Sequence, residues 1–429
     1  SPLIISVAMG CCASKEAAED FGSSSGVPPP PTEFVDDRTY PVLHFPDEIA
    51  RAALDAAAEA AAARVHDDSD DSNWQDNDGA ALETLLAPRD GDSPVLLLDA
   101  RFLIAHARRG GRITRRQELP ADAFLSFESL RRLPPSFGQR GLRIVCVSYP
   151  WLVPGDPDPR GDTLHLLAHV LERFVDFEIF GKSTCGVFLD FSSLYQEGGH
   201  EARSVHQTSL FSHALNNLSI LYSHPRTFVV KISRLPSDYP AAFEFPPNST
   251  PNQSLYSDRG WCFCESSLAN LVKDQFRVFD LAYFDLSQDS LGAISHKCSL
   301  GRAPPLPPDQ FDSVLDGKTF SFKGSDFATV SQLYRVAFQT HLAAAKRLIL
   351  IRLGWGDDEI CIFSQALPAM AVLKQLSLAD NPFGERGYSA LAAALAEGAA
   401  PELRSVVISS RSGKDMLLAA RPGLDVTVT

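Results

Sequence analysis

Apolar and polar positions follow a strand rhythm and a helix rhythm in turn from residue 141 onward. Leu142–Ser148 is apolar and β-branched, the composition of a strand buried on both faces. A Pro/Asp/Gly loop, Asp156–Asp162, precedes a helix with Leu164, Leu167, Leu171 and Val175 on one face and Asp162 as its N-cap. Gly186–Asp190 predicts a second strand, leading into the polar loop Ser192–Glu197. Phe211, Ala214, Leu215, Leu218 and Tyr222 recur at i, i+3, i+4 spacing and predict one helix. Arg226–Ile232 predicts a third strand and Phe276–Phe279 a fourth. Between them the Pro-rich loop 234–255 runs into Tyr256–Glu265, YSDRGWCFCE, which predicts a helix start carrying Leu268 and Leu271 further along. Upstream, Val95–Asp99 predicts a short buried strand and Arg101–Arg108 a helix. Strands alternating with helices predict an α/β fold, a doubly wound parallel sheet. Such sheets collect ligands at the carboxyl ends of their strands, near a topological switch point.

The rhythm changes beyond Pro304–Pro308. Leu348-x-x-Ile351-x-Leu353, Leu373-x-x-Leu376-x-Leu378 and Leu403-x-x-Val406-x-Ile408 share one template, and the middle copy adds Asn381, Gly387 and the helix Ala390–Leu395. That is how a leucine-rich repeat is built, with Asn381 satisfying backbone groups in the turn after the strand. The outer copies have Gly356 and Arg411 where the middle one has asparagine. At the other end, residues 13–41 are rich in Ser, Gly and Pro, including Pro28–Pro31, and read as a tether. Ile49–Val65 is Ala-rich and helical by propensity, and an Asp-rich stretch follows it. The organisation expected is a disordered tether over 1–48, the Ala-rich helix and acidic linker over 49–90, and the α/β domain over 91–300. A Pro-rich linker over 301–340 and a short repeat segment over 341–429 complete it.

Composition narrows the function. The 429 residues are 45% hydrophobic and 21% charged, with a net charge of −14, which argues against nucleic acid as a partner. No run of about 18 apolar residues occurs, so no membrane span is expected. The eight cysteines form no paired framework and fit a reducing, cytoplasmic setting. Cys262-x-Cys264 with Cys298 has the wrong spacing for a zinc knuckle, and no metal site is expected. Arg108, Arg109, Arg112, Arg115 and Arg116 surround Gly110-Gly111, either as an exposed turn or as a patch for an anionic lipid surface or phosphate. If translation starts at Met9, Gly10 becomes a myristoylation site with Ser14 at the preferred position, and Cys11 and Cys12 become palmitoylation sites. Two acyl signals would anchor the chain to the cytosolic face of a membrane. No GxxxxGK[ST], serine elbow or HExxH is present.

Three segments carry a family resemblance. IVCVSYPWL (Ile144–Leu152), VFLDFSSLYQ (Val187–Gln196) and RGWCFCE (Arg259–Glu265) resemble the signature blocks of HET-type domains, members of the TIR-like superfamily. The last block is also similar to the Trp-Cys-x-x-Glu helix of plant TIR domains. The resemblance covers residues 140–285, and the tail resembles the repeats of innate-immune receptors. It implies a flavodoxin-like sheet and cleavage of NAD⁺, as substrate rather than bound cofactor. Glu265 matches the catalytic glutamate, and Trp261 and Cys262 match the Trp-Cys pair. Ser148 matches the serine closing the first strand, and Asp190 the acidic residue closing the second. Trp151, in the first block, joins Ser148, Asp190 and Trp261 as a candidate for binding the dinucleotide. Tyr149-Pro150 and Phe191-Ser192-Ser193 depart from the family pattern, and the loop before RGWCFCE is unusually long.

The chemistry stands without the family. Breaking the nicotinamide–ribose bond builds oxocarbenium character that a carboxylate can stabilise. Trp261 can stack on a planar ring, and Asp190 and Ser148 can fix the ribose or a water. Each residue also has a plainer reading. Glu265 can be a first-turn carboxylate paired with the macrodipole or Arg259, Trp261 a core residue, and Asp190 a turn or cap. Three functions are therefore open: an NAD⁺ hydrolase, a self-associating interaction module, and a degenerate α/β scaffold for a partner-binding repeat tail.

Overall fold

Short apolar runs bounded by turn residues form strands in the computed structural model of the chain, which describes residues 81–133, 142–175, 184–197, 202–245, 249–321 and 323–429. Gly10, Cys11 and Cys12, the tether over 1–48, and the Ala-rich and acidic stretches up to residue 80 lie outside the described residues. The first sheet holds β1 (Leu97–Asp99), β2 (Phe124–Leu125), β3 (Ile144–Ser148), β4 (Gly186–Phe188), β5 (Phe228–Lys231) and β6 (Val278–Asp280) in the order β2-β1-β4-β3-β5-β6. β4, β3, β5 and β6 are parallel. β1 is antiparallel to both β2 and β4, so the sheet is mixed rather than wholly parallel.

Helices cover both faces, and the register says which residues each face offers. Val145 pairs with Phe228 and Val230 with Phe279, so these side chains share one face with Val147. Phe174, from the helix Asp162–Val175, packs edge-on against Phe228 there. Cys146, Ser148 and Phe188 point to the opposite face, where Cys146 Sγ donates to Leu221 O and the Phe188 ring meets Tyr222. The helices Ser219–Ser223 and Gly260–Ala269 pack together on that side.

Local departures have local causes. The helix Asp162–Val175 is capped by Asp158, whose carboxylate accepts the Thr163 and Leu164 N–H groups at 3.0 and 3.1 Å. Asp162, the expected N-cap, pairs with Arg160 instead. The helix expected through Phe211 and Tyr222 is two helices, Val205–Asn216 and Ser219–Ser223, broken where the Asn217 amide donates to His213 O. The break lets the Tyr222 hydroxyl reach Val147 O at 3.0 Å. Leu271 lies beyond the end of its helix, yet it is fully buried.

Residues 301–340 are not a spacer. Pro308 opens the helix Pro308–Asp316, a second helix spans Lys323–Ala344, and both pack on the helix Gly260–Ala269 or its neighbours. A column of rings makes the joint: Phe263 stacks on Phe311 at 5.0 Å, and Phe311 on Tyr334 at 3.8 Å. Arg302 donates to the Lys273 and Asn270 carbonyls, and the Trp355 indole donates to Arg302 O at 2.6 Å.

The tail is a second, fully parallel sheet of β7 (Arg347–Ile349), β8 (Gln375–Ser377), β9 (Ser405–Ile408) and β10 (Asp425–Val428), ordered β10-β9-β8-β7. The helices Asp357–Ala366, Glu385–Ala396 and Arg411–Ala420 alternate with its strands. Asn381 is buried and accepts the Leu353 and Trp355 N–H groups while donating to the Leu350, Leu378 and Ala379 carbonyls. Asp357 accepts the Gly384 and Gly387 N–H groups, tying consecutive units together. β10 follows no leucine template and was not expected from the sequence. Among the described residues no helix is long and apolar enough to cross a membrane.

Candidate functional site

The site begins where β3 ends. Ser148, the last residue of that strand, points to the face covered by the helix Gly260–Ala269, and its hydroxyl donates to Glu265 Oε2 at 2.5 Å. The Tyr256 hydroxyl shares the same serine at 2.7 Å. Glu265 is the sixth residue of its helix, so it faces the sheet and not the first-turn N–H groups. Arg259 is likewise no partner for it: the guanidinium donates to the carbonyls of Trp151, Asn252 and Ser254 at 2.5, 2.9 and 2.9 Å. Neither plain pairing expected for Glu265 is the one the fold makes.

Asp190 follows β4 and accepts the Trp151 indole N–H at 3.1 and 3.3 Å. It also accepts the Phe191 N–H at 2.7 Å, the short-range turn bond of an aspartate. The Trp151 ring stands edge-on to Phe191 at 5.1 Å. The buried Tyr149 hydroxyl faces Asp190 without closing a hydrogen bond of normal geometry. Trp261 is half-buried, and its indole N–H donates to Asp326 at 3.3 Å.

Trp151, Asp190, Trp261 and Glu265 line one cavity of about 60 Å³, together with Tyr149, Asn252, Arg259, Cys262, Thr319, Phe320 and Ser321. Ser148 stands behind Glu265 and is fully buried. The fold thus gathers all five of the chemistry-bearing residues singled out in the α/β domain. Tyr256 lay within the YSDRGWCFCE run without a signal that marked it. Asp326 and Phe320 fell in the expected linker, where only tertiary packing gives them a place at the site.

Burial dominates the electrostatics. Glu265 is 5% exposed and Asp190 6%. Desolvation raises the Glu265 carboxyl well above its ordinary value, and the nearby Asp190 charge adds to this, while the Ser148 and Tyr222 hydroxyls oppose it. Desolvation raises Asp190 to about 6, against the pull of Tyr149, the Phe191 amide and Trp151. Cys262 is pushed up by burial and by the Glu265 charge, so it is a poor thiolate. Among the described residues no group of three or more His, Cys, Asp or Glu side chains could hold a metal ion.

Four of the five arginines in the cluster form ion pairs, and Arg109 is exposed. Arg108 pairs with Glu172, Arg112 with Asp156, Arg115 with Glu118, and the buried Arg116 with Asp92 while lying over the Tyr195 ring. Comparison of the chain with protein-family models, curated proteins and solved structures finds no match.

Proposed function

We propose that the chain is a signalling protein with a TIR/HET-like domain of flavodoxin-like strand order and a leucine-rich repeat tail. Its Glu265 cavity hydrolyses the nicotinamide–ribose bond of NAD⁺. The observation that carries this reading is the convergence of Glu265, Asp190, Trp151 and Trp261 on one cavity at the carboxyl end of β3. The bond between the nicotinamide nitrogen and C1′ breaks, and its electron pair leaves with neutral nicotinamide. Ionised Glu265 stabilises the positive charge left on the ribose. Water adds to C1′ and gives its proton to Asp190, completing hydrolysis to ADP-ribose. A cationic ring beside Glu265 favours the ionised carboxylate that burial alone disfavours. The repeat tail serves a protein partner, and, where translation starts at Met9, acylation at Gly10, Cys11 and Cys12 provides a membrane anchor.

A second reading, a self-associating scaffold without turnover, draws support from the size of the cavity. Its free space of about 60 Å³ is far below the roughly 300 Å³ at which small-molecule pockets begin. The test is nicotinamide release from NAD⁺ by the full chain, dilute and clustered on beads, beside Glu265→Gln with a matching melting curve. Release that vanishes in the variant supports hydrolysis. No release from the folded, clustered wild type transfers the function to the scaffold.

A further inference from the structure

The helix that carries Glu265 begins on a glycine, and the place a Cβ would take there is filled by the Phe320 ring, 2.0–2.4 Å from that position. Phe320 arrives on a short segment between the helices Pro308–Asp316 and Lys323–Ala344. Backbone bonds seat the segment: Gly260 N–H donates to Thr319 O at 2.9 Å, and Thr319 N–H donates to Asp258 O at 2.7 Å. The Thr319 hydroxyl adds a bond of 2.9 Å to the same Asp258 carbonyl. Thr319, Phe320 and Ser321 line the same cavity as Glu265 and Asp190.

The helices on either side have anchors of their own. Phe311 is fully buried in its ring column, and Asp326 is held by Trp261. Lys323 pairs with Asp316 at 3.1 Å across the base of the segment. Lys318, at the start of the segment, lies over the Phe263 ring at 5.2 Å, so the tip beyond it can leave while its base and both helices stay in place. We infer that residues 317–321 are a hinged cap, and that Phe320 must swing out before the Glu265 cavity admits a ligand. The inference rests on the reading of this cavity as a ligand site.

Hydrogen exchange on the full chain tests it, comparing wild type with Phe320→Ala, which removes the ring, and Gly260→Ala, which displaces it. In both variants the amides at positions 260 and 319 exchange about tenfold faster, as losing roughly one hydrogen bond predicts, while the helix Lys323–Ala344 is unchanged. Alkylation of the buried Cys262 by N-ethylmaleimide rises in parallel, and nicotinamide release from NAD⁺ rises with it. Exchange and alkylation that stay at wild-type rates in both folded variants overturn the cap. If exchange and alkylation rise while no variant releases nicotinamide, the cap stands and the NAD⁺ reading falls.

Discussion

Ser148 and Glu265 stand 117 residues apart in the chain and 2.5 Å apart in the fold, the serine hydroxyl donating to the glutamate. The bond joins the end of β3 to a helix two crossovers later, in a place where Ser148 has no exposed surface. A hydroxyl there holds the carboxyl in one rotamer and opposes the rise that burial imposes on it.

Ser148→Ala removes that donor and leaves a buried carboxyl and the Tyr256 hydroxyl short of a partner. The expected loss is about 1–3 kcal/mol of stability in urea unfolding. On the proposed activity, NAD⁺ cleavage falls as well, because Glu265 becomes harder to ionise. A variant as stable as wild type would show that the bond does not hold the site together.

The buried carboxyls make stability depend on pH in a defined direction. Asp190 is raised from 3.8 to about 6, and Glu265 is raised above 4.5. The folded chain then keeps protons that the unfolded chain has released, so both groups stabilise fully below their unfolded values, and the share from Asp190 fades as pH climbs through about 6. The Tm of Asp190→Asn relative to wild type should therefore increase between pH 4 and pH 7. A difference in Tm that is flat across that range would contradict the assignment.

Phe311 couples the 301–340 segment to the helix of Glu265 through its two stacked neighbours. Phe311→Ala should cost about 3–5 kcal/mol, as for other large-to-small changes in a core. The cap should loosen with it, read as faster exchange at Thr319. A loss below 1 kcal/mol would mean that the segment rests on the domain without supporting it.

Asn381 serves five backbone groups from a buried position in the tail. Asn381→Ala strands several of them, and a loss of about 2–4 kcal/mol is expected from their unmet hydrogen bonds. Thermal unfolding of the full chain measures it, with Asn381→Asp as the variant that keeps the acceptor alone.

Much of the sheet was legible because β3 and β5 are apolar runs closed by one polar residue, which suit a strand covered on both faces. The direction of β1 was not, since three residues such as Leu97–Asp99 read the same in a parallel or an antiparallel pairing. The choice of Asp158 over Asp162 as a cap was also hidden. It depends on how the chain turns through Gly161, at φ +83°. Glu265, Trp261 and Asp190 could be named from local motifs, because their chemistry lies in their own segments. Phe320 and Asp326 could not, because what they do is decided by a helix some sixty residues away.

The bond from the Trp355 indole to Arg302 O, with Arg302 in turn holding the Asn270 and Lys273 carbonyls, gives the two sheets a common keystone. A foreign tail spliced on in place of this one would have to bring its own tryptophan to that arginine, or leave a hole in the wall behind the helix Gly260–Ala269. The tail and the first sheet are thus braced through one arginine, and the strands farthest from β7 are the part of the tail least tied to that brace.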